Sequence, residues 1–257
     1  MERHFVERRR HVTLVGQKTQ PCSFAFRGLE IHSLRMFDTT QVLNTLDIMV
    51  RFGLNALIFH RNTLLDDLVF PEKFYSMQKM WDRFAPRYSW TLNIRYYINN
   101  IIAECHRRGI AFFAEVKELS FDEWIIEDHP EVRNPQTGRV CPMHPFWWEY
   151  LEAKMDEVLD SVPELDGIIV SPGTLESKLS ISANKCGCDA CRNADDTGWN
   201  ARLMGVMHEK LKERGKRLVV RDFCFSAKDQ TTILKGADRA SEEIVIALKN
   251  TPHDYYP

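Results

Sequence analysis

Carboxylates and basic side chains recur just after short apolar runs along this 257-residue chain. Glu115 and Glu118 follow one run, Glu176 lies beyond the next, Asp222 closes another and Asp254 follows the last. Two carboxyl groups facing one mouth suit glycoside hydrolysis: one acid protonates the leaving oxygen, and the other carboxylate acts as nucleophile or base. The plainer role for each is to cap the following helix or pair with an Arg. Arg221 and Lys249 end neighbouring runs, so both can face one ligand. Arg offers a carboxylate a bidentate fork and Lys a point charge, which suits an acidic sugar or equally an internal pair such as Lys249 with Asp222. His32, His60 and His144 are placed to hydrogen-bond sugar hydroxyls, and neither HxH nor HExxH spacing marks a catalytic metal centre.

Two further groups bear on chemistry. Cys186-Gly-Cys188-Asp-Ala-Cys191 is a tight thiol cluster. A structural zinc takes four ligands, so the fourth would be Cys141, Cys224 or a His such as His144. A reduced or disulfide-linked structural loop is the alternative, and a redox pair would lack a thioredoxin-like context. Trp124, Trp147, Trp148 and Trp199 lie in or near the presumed mouth-side loops, where a ring can stack on the apolar face of a sugar. Packing between helices and barrel is the competing role, and Trp147 and Trp148 cannot both face inward from one helix.

The elements that position these residues form a repeat of strand, loop and helix. Strands are expected at Leu29–His32, Leu54–His60, Ile110–Val116, Gly167–Val170, Arg217–Phe223 and Ile244–Leu248. Strands alternating with helices imply a parallel sheet covered by helices, and strands buried on both faces read as continuous apolar runs. The pattern is that of a (β/α)8 TIM-type barrel with about six units present and the last ones missing. In such a barrel the C-terminal strand ends form the active site. An open arc of six strands would leave edges exposed, inviting a partner or self-association as a homo-oligomer.

Asp38 or Thr39 opens a helix that Gly53 stops, and Ser89 opens another ending at Gly109. Residues 61–87, rich in aromatics, read as a long loop acting as lid or wall. Asn134-Pro-Gln-Thr-Gly138 is turn chemistry for a small hairpin. Helices follow at 146–162, 199–214 and from Ser226 to near Gly236. Residues 1–26 stand apart as an N-terminal extension or the tail of an upstream domain, with one strand at His11–Gly16. Residues 27–257 form the barrel domain.

Composition narrows the classes. The formal charge of −2 and the lack of a basic, aromatic-interleaved stripe argue against nucleic acid as a partner. No apolar run approaches a membrane span, and no h-region follows the basic start. Seven Cys without a secretion signal suit a reducing compartment, so the expected location is cytoplasmic.

Several motifs resemble sugar-cleaving barrels. Arg27-Gly-Leu-Glu-Ile-His-Ser-Leu-Arg35, a helix, then Gly53-Leu-Asn-Ala-Leu-Ile-Phe-His60 resembles the first two strands of family 20 β-hexosaminidases. There an Arg-Gly pair opens strand one, and an Asn-containing strand two ends in His or Trp. Residues 98–130 look like that family's strand three. Cys141-Pro-Met-His-Pro145, a helix and Leu165-Asp-Gly-Ile-Ile-Val170 are similar to many such barrels, and the Cys-x-Cys-x-x-Cys loop resembles relatives of family 67 α-glucuronidases. The resemblance spans about residues 27–257.

One departure matters. Family 20 carries an Asp-Glu pair after strand four, where this chain reads Ser171-Pro-Gly-Thr174 and the first carboxylate is Glu176. The resemblance therefore favours an α-glucuronidase-like arrangement over acetamido-assisted chemistry. It implies Glu176 as the acid, Asp222 or Asp254 as partner, and Arg27 as a substrate-binding residue. Glu115 joins the catalytic candidates. His60, Glu118, Trp124, His144, Arg221 and Lys249 are the expected substrate contacts, with no cofactor beyond a structural zinc at the cysteines. The expectation is a glycosidase of carbohydrate metabolism, cleaving an oligosaccharide that bears a uronate. One rival is a degenerate barrel that binds carbohydrate without turnover, for which Glu176→Gln would leave affinity intact. Another is a metal-dependent or Schiff-base isomerase or aldolase, with an ion among His32, His60, Glu115 and Asp222, or Lys249 as nucleophile.

Overall fold

The structure is a computed structural model that describes residues 23–75, 77–174, 176–224 and 226–248. The expected strand at His11–Gly16, and Lys249 and Asp254, lie outside the described residues. Six parallel strands form one sheet in chain order: β1 Gly28–His32, β2 Ala56–His60, β3 Ala111–Val116, β4 Gly167–Val170, β5 Arg217–Arg221 and β6 Val245–Ala247. All six expected strands are present, with ends shifted by at most two residues.

The sheet is curled into part of a barrel. Neighbouring strands lie about 4.8 Å apart, so a flat sheet would hold β1 and β5 about 19 Å apart, too far for an Arg and a Glu to meet. Yet Arg221 Nη1 at the end of β5 is 2.7 Å from Glu30 Oε2 on β1. Curling also divides the apolar residues. Ala56, Ile58, Phe113, Ile169 and Val219 fill the concave side, while Leu57, Phe59, Phe112, Ile168, Val170 and Val220 pack outward against helices. Phe26 closes the floor, with its ring edge-on to Phe113 at 5.3 Å. The described arc has six strands, so a complete eight-stranded barrel is not seen.

Helices cover the convex side. In α1 (Thr39–Phe52) the Asp38 carboxylate accepts the Gln41 N–H at 3.0 Å, and Gly53 ends the helix at φ 68°. Residues 61–87 are largely helical rather than a lid loop. They hold α2 (Leu64–Leu68) and the start of α3 (Met77–His106), which is kinked at Phe84 just ahead of Pro86. Proline removes a helical hydrogen bond and disfavours helical geometry in the residue before it, which is why the sequence reads there as a break. The aromatics of this stretch serve packing: Phe84 stacks on Trp124 at 3.7 Å, at the start of α4 (Trp124–Asp128).

Later helices are α5 (Phe146–Ser161), α6 (Asp189–Arg192), α7 (Asp196–Glu213) and α8 (Ala227–Ala240). Gly236 lies within α8 and does not end it. A Cβ there would stand 3.0 Å from Asn200 and Met204, so this Gly lets α8 approach α7 closely. The expected hairpin forms, with Arg133 bridged to Val140 and Gly138 at φ 68°. Trp147 and Trp148 are both buried, one against Phe121 and the other against Trp199, because core lies on two sides of α5. Among the described residues, no helix is long and apolar enough to cross a membrane.

Candidate active site at the strand ends

Side chains alternate along a strand, so the concave residues Ile58, Phe113, Ile169 and Val219 fix which residues reach the mouth. Two positions on from each come His60, Glu115, Ser171 and Arg221, and Lys117 follows Glu115 in the same phase. Gly28 on β1 leads likewise to Glu30 and His32. The structure brings these residues into one connected cluster.

Glu115 is its buried centre. It accepts hydrogen bonds from Ser171 Oγ at 2.7 Å and from Arg221 Nη1 at 2.9 and 2.8 Å, and its Oε1 lies 3.7 Å from His60 Nδ1. Glu30 receives the same Arg221 nitrogen at 2.7 Å and sits 2.7 Å from His60 Nδ1 and 3.1 Å from His32 Nε2. Burial alone would raise the Glu30 carboxyl, but the His60 hydrogen bond and the charges of His60 and Arg221 outweigh it and hold it at about 2. Arg221 is conversely raised above its usual range, the charges of Glu115 and Glu30 outweighing burial. One guanidinium nitrogen thus bridges two carboxylates. The bridge leaves no room between the two carboxylates for a scissile bond.

Two other members have unmet capacity. Lys117 Nζ is buried and has no hydrogen-bond partner. Its closest anion is Glu176 Oε2 at 3.5 Å, and it lies 4.2 Å from the centre of the Phe223 ring. Burial pushes its ammonium pKa down. His60 is 1% exposed and its Nε2 is unpartnered, while Nδ1 is engaged with Glu30. Burying a polar atom without a partner costs about 1–3 kcal/mol. Glu176 hangs over this corner, its side chain 58% exposed, accepting a hydrogen bond from Asn62 Nδ2 at 3.3 Å.

Other expected contacts are placed elsewhere. Asp222 falls out of phase with Arg221 and turns to the convex side, where it accepts from the Cys224 N–H at 3.1 Å and from Gln230. Glu118 is likewise out of phase with Lys117. It anchors the loop after β4, accepting from the Gly173 N–H at 3.0 Å and from the hydroxyls of Ser177 and Ser180. Arg27 precedes β1 at the floor, donating to the carbonyls of Gly53 and Phe24. Trp124 is held among Phe70, Tyr75 and Phe84. His144 Nδ1 accepts the Phe146 N–H at 3.3 Å. Of the predicted residues, Glu115, Glu176, His60 and Arg221 therefore meet at the mouth. Lys117, which the sequence also places at the end of β3, joins them, and so do Glu30, Ser171 and Asn62, which sequence reasoning had not placed there. Glu30 was readable as the residue two before His32, in the same strand phase.

No protein-family model and no curated protein matches this chain. Solved structures do resemble it. A GH138 enzyme targeting pectin rhamnogalacturonan II aligns with a TM-score of 0.56 and 13% identity, over 87% of this chain and 26% of that one. A β-N-acetylhexosaminidase from Bacteroides fragilis aligns at 0.52 and 15%, over 86% of this chain and 49% of that one. An O-GlcNAc hydrolase of Thermobaculum terrenum aligns at 0.52 and 13%, over 87% and 40% respectively. The chain shares the barrel-type fold of glycoside hydrolases and spans half or less of the length of each of these proteins.

Proposed function

We propose that the chain is the barrel module of a glycosidase acting on an oligosaccharide that carries a uronate. The observation behind this reading is the buried Lys117 ammonium, which makes no hydrogen bond and faces Glu176 at 3.5 Å, at the strand ends where barrel enzymes bind substrate. A uronate carboxylate supplies the acceptors that Lys117 lacks. With Nδ1 engaged by Glu30, His60 keeps Nε2 for a sugar hydroxyl.

Glu176 is the proposed proton donor, being exposed and, among the described residues, held by Asn62 and Lys117. Glu30 is the proposed second carboxylate. It is ionised above a pH of about 2 and part-exposed, so it can face the positive charge of an oxocarbenium-like transition state. Glu115, Ser171 and Arg221 hold Glu30 and His60 in place. Asp254 stays a proposed partner on the grounds of resemblance alone.

The test is incubation with neutral and uronate-bearing oligosaccharides, with products read by mass spectrometry. We expect cleavage of a uronate-bearing member, and a loss of at least a hundredfold in rate for Glu176→Gln, since general acid catalysis contributes about 10²–10⁴-fold. Full activity in Glu176→Gln would overturn this assignment. A second reading has its own observation: ligand atoms of Glu30, His32 and His60 lie within 4.8 Å of one another, close enough to hold a divalent ion. Under that reading a chelator would abolish activity, whereas the glycosidase reading expects no effect.

A further inference from the structure

Away from the mouth, two loops converge on four thiols. Cys141 follows the hairpin bridged at Arg133 and Val140, while Cys186, Cys188 and Cys191 come from the segment joining β4 to α6 and from α6 itself. All four sulfurs lie within 4.8 Å of one another. Cys141 Sγ is 3.7 Å from both Cys188 and Cys191, and Cys191 Sγ is 3.6 Å from Cys186. Of the fourth partners open from sequence, the structure thus selects Cys141.

These spacings discriminate between chemistries. A disulfide needs sulfurs about 2.05 Å apart, yet Cys141 and Cys191 each stand near two sulfurs and bond neither. Four thiolates about 2.3 Å from one tetrahedral ion stand about 3.8 Å from each other, close to what is seen. Sulfurs this near together enclose a single ion and not a cluster.

The surroundings suit thiolates. Asn134, 4% exposed, points Nδ2 at Cys186 Sγ at 3.6 Å, and its Oδ1 is fixed by the Gln136 N–H at 2.9 Å. The Cys191 N–H donates to Cys188 Sγ at 3.4 Å across the Cys-x-x-Cys turn. Thr137 donates to the Cys186 carbonyl at 3.1 Å, and Trp147 Nε1 to that of Cys141 at 3.0 Å. The donors to sulfur temper the charge of would-be ligands, and those to the carbonyls fix the backbone that carries them.

We propose that Cys141, Cys186, Cys188 and Cys191 bind one structural zinc ion. With four protein ligands the ion has no open position for substrate or water, so it is a clip and not a catalyst. It ties the hairpin after β3 to the far end of the loop whose near end carries Glu176.

The test is metal analysis of the purified chain, followed by displacement with a mercurial thiol reagent in the presence of a chromogenic chelator. We expect one zinc per chain, released in step with the reaction of four thiols. Cys141→Ser should release zinc to the chelator at least tenfold faster than the native chain, and Cys224→Ser at the native rate. The native chain decides the matter even if Cys141→Ser fails to fold. Metal-free protein with four reactive thiols or with disulfides, iron in place of zinc, or unchanged release from a folded Cys141→Ser would each overturn the proposal.

Discussion

Glu118 and Glu30 show how environment separates two carboxyl groups, one just after β3 and the other on β1. Glu118 is buried, and burial pushes its pKa up to about 7 despite hydrogen bonds from Ser177, Gly173 and Ser180. A raised carboxyl pKa means that the folded state holds a proton the unfolded chain has released. That stability is fully present below about pH 4.5 and is lost as pH rises to about 7. The loss is on the order of 3 kcal/mol, from about 1.4 kcal/mol per pKa unit. Glu118→Gln cannot ionise, so its melting temperature should change less than that of the native chain between pH 4.5 and 7. Parallel pH dependence in calorimetric melts of the two proteins would refute this account of Glu118. Glu30 behaves oppositely: held at about 2, it adds stability above its ordinary range and loses it as pH falls toward 2.

At the scale of elements, β4 is closely packed at its start. A Cβ on Gly167 would lie 2.4 Å from the Arg217 carbonyl oxygen and 2.6 Å from the Phe113 ring, on the crowded concave side. Backbone of a paired strand gives way poorly, and overpacking a core costs typically about 1–3 kcal/mol. Gly167→Ala should therefore destabilise by about 3 kcal/mol in urea unfolding, and a change below about 0.5 kcal/mol would show that β4 has slack. The strands were legible because parallel strands buried on both faces read as apolar runs, such as Leu218-Val219-Val220. That same property hid which face was concave, since both faces are apolar and neither contrasts with the other. Residues at strand ends were therefore identified while their directions were not. Arg221 and Asp222 are neighbours in sequence and point to opposite sides. Residues 61–87 misled for another reason: Pro86 breaks helical periodicity within what packing keeps as one kinked helix.

Across the whole molecule, curling of the sheet makes the site. Glu30, Glu115 and Arg221 come from β1, β3 and β5, and only a concave sheet lets them share hydrogen bonds. Among the described residues the network satisfies itself apart from His60 Nε2 and Lys117 Nζ, the latter 3.5 Å from the exposed Glu176 at the rim. That juxtaposition carries the claim that the mouth receives an acidic sugar, and calorimetric titration tests it most directly. The native chain and Lys117→Met would each be titrated with a uronate-bearing oligosaccharide and with its neutral counterpart. The account predicts that the native chain prefers the uronate form at least tenfold and that Lys117→Met loses this preference while binding the neutral sugar unchanged. Equal affinity of the native chain for both sugars, or a preference that survives in Lys117→Met, would contradict it.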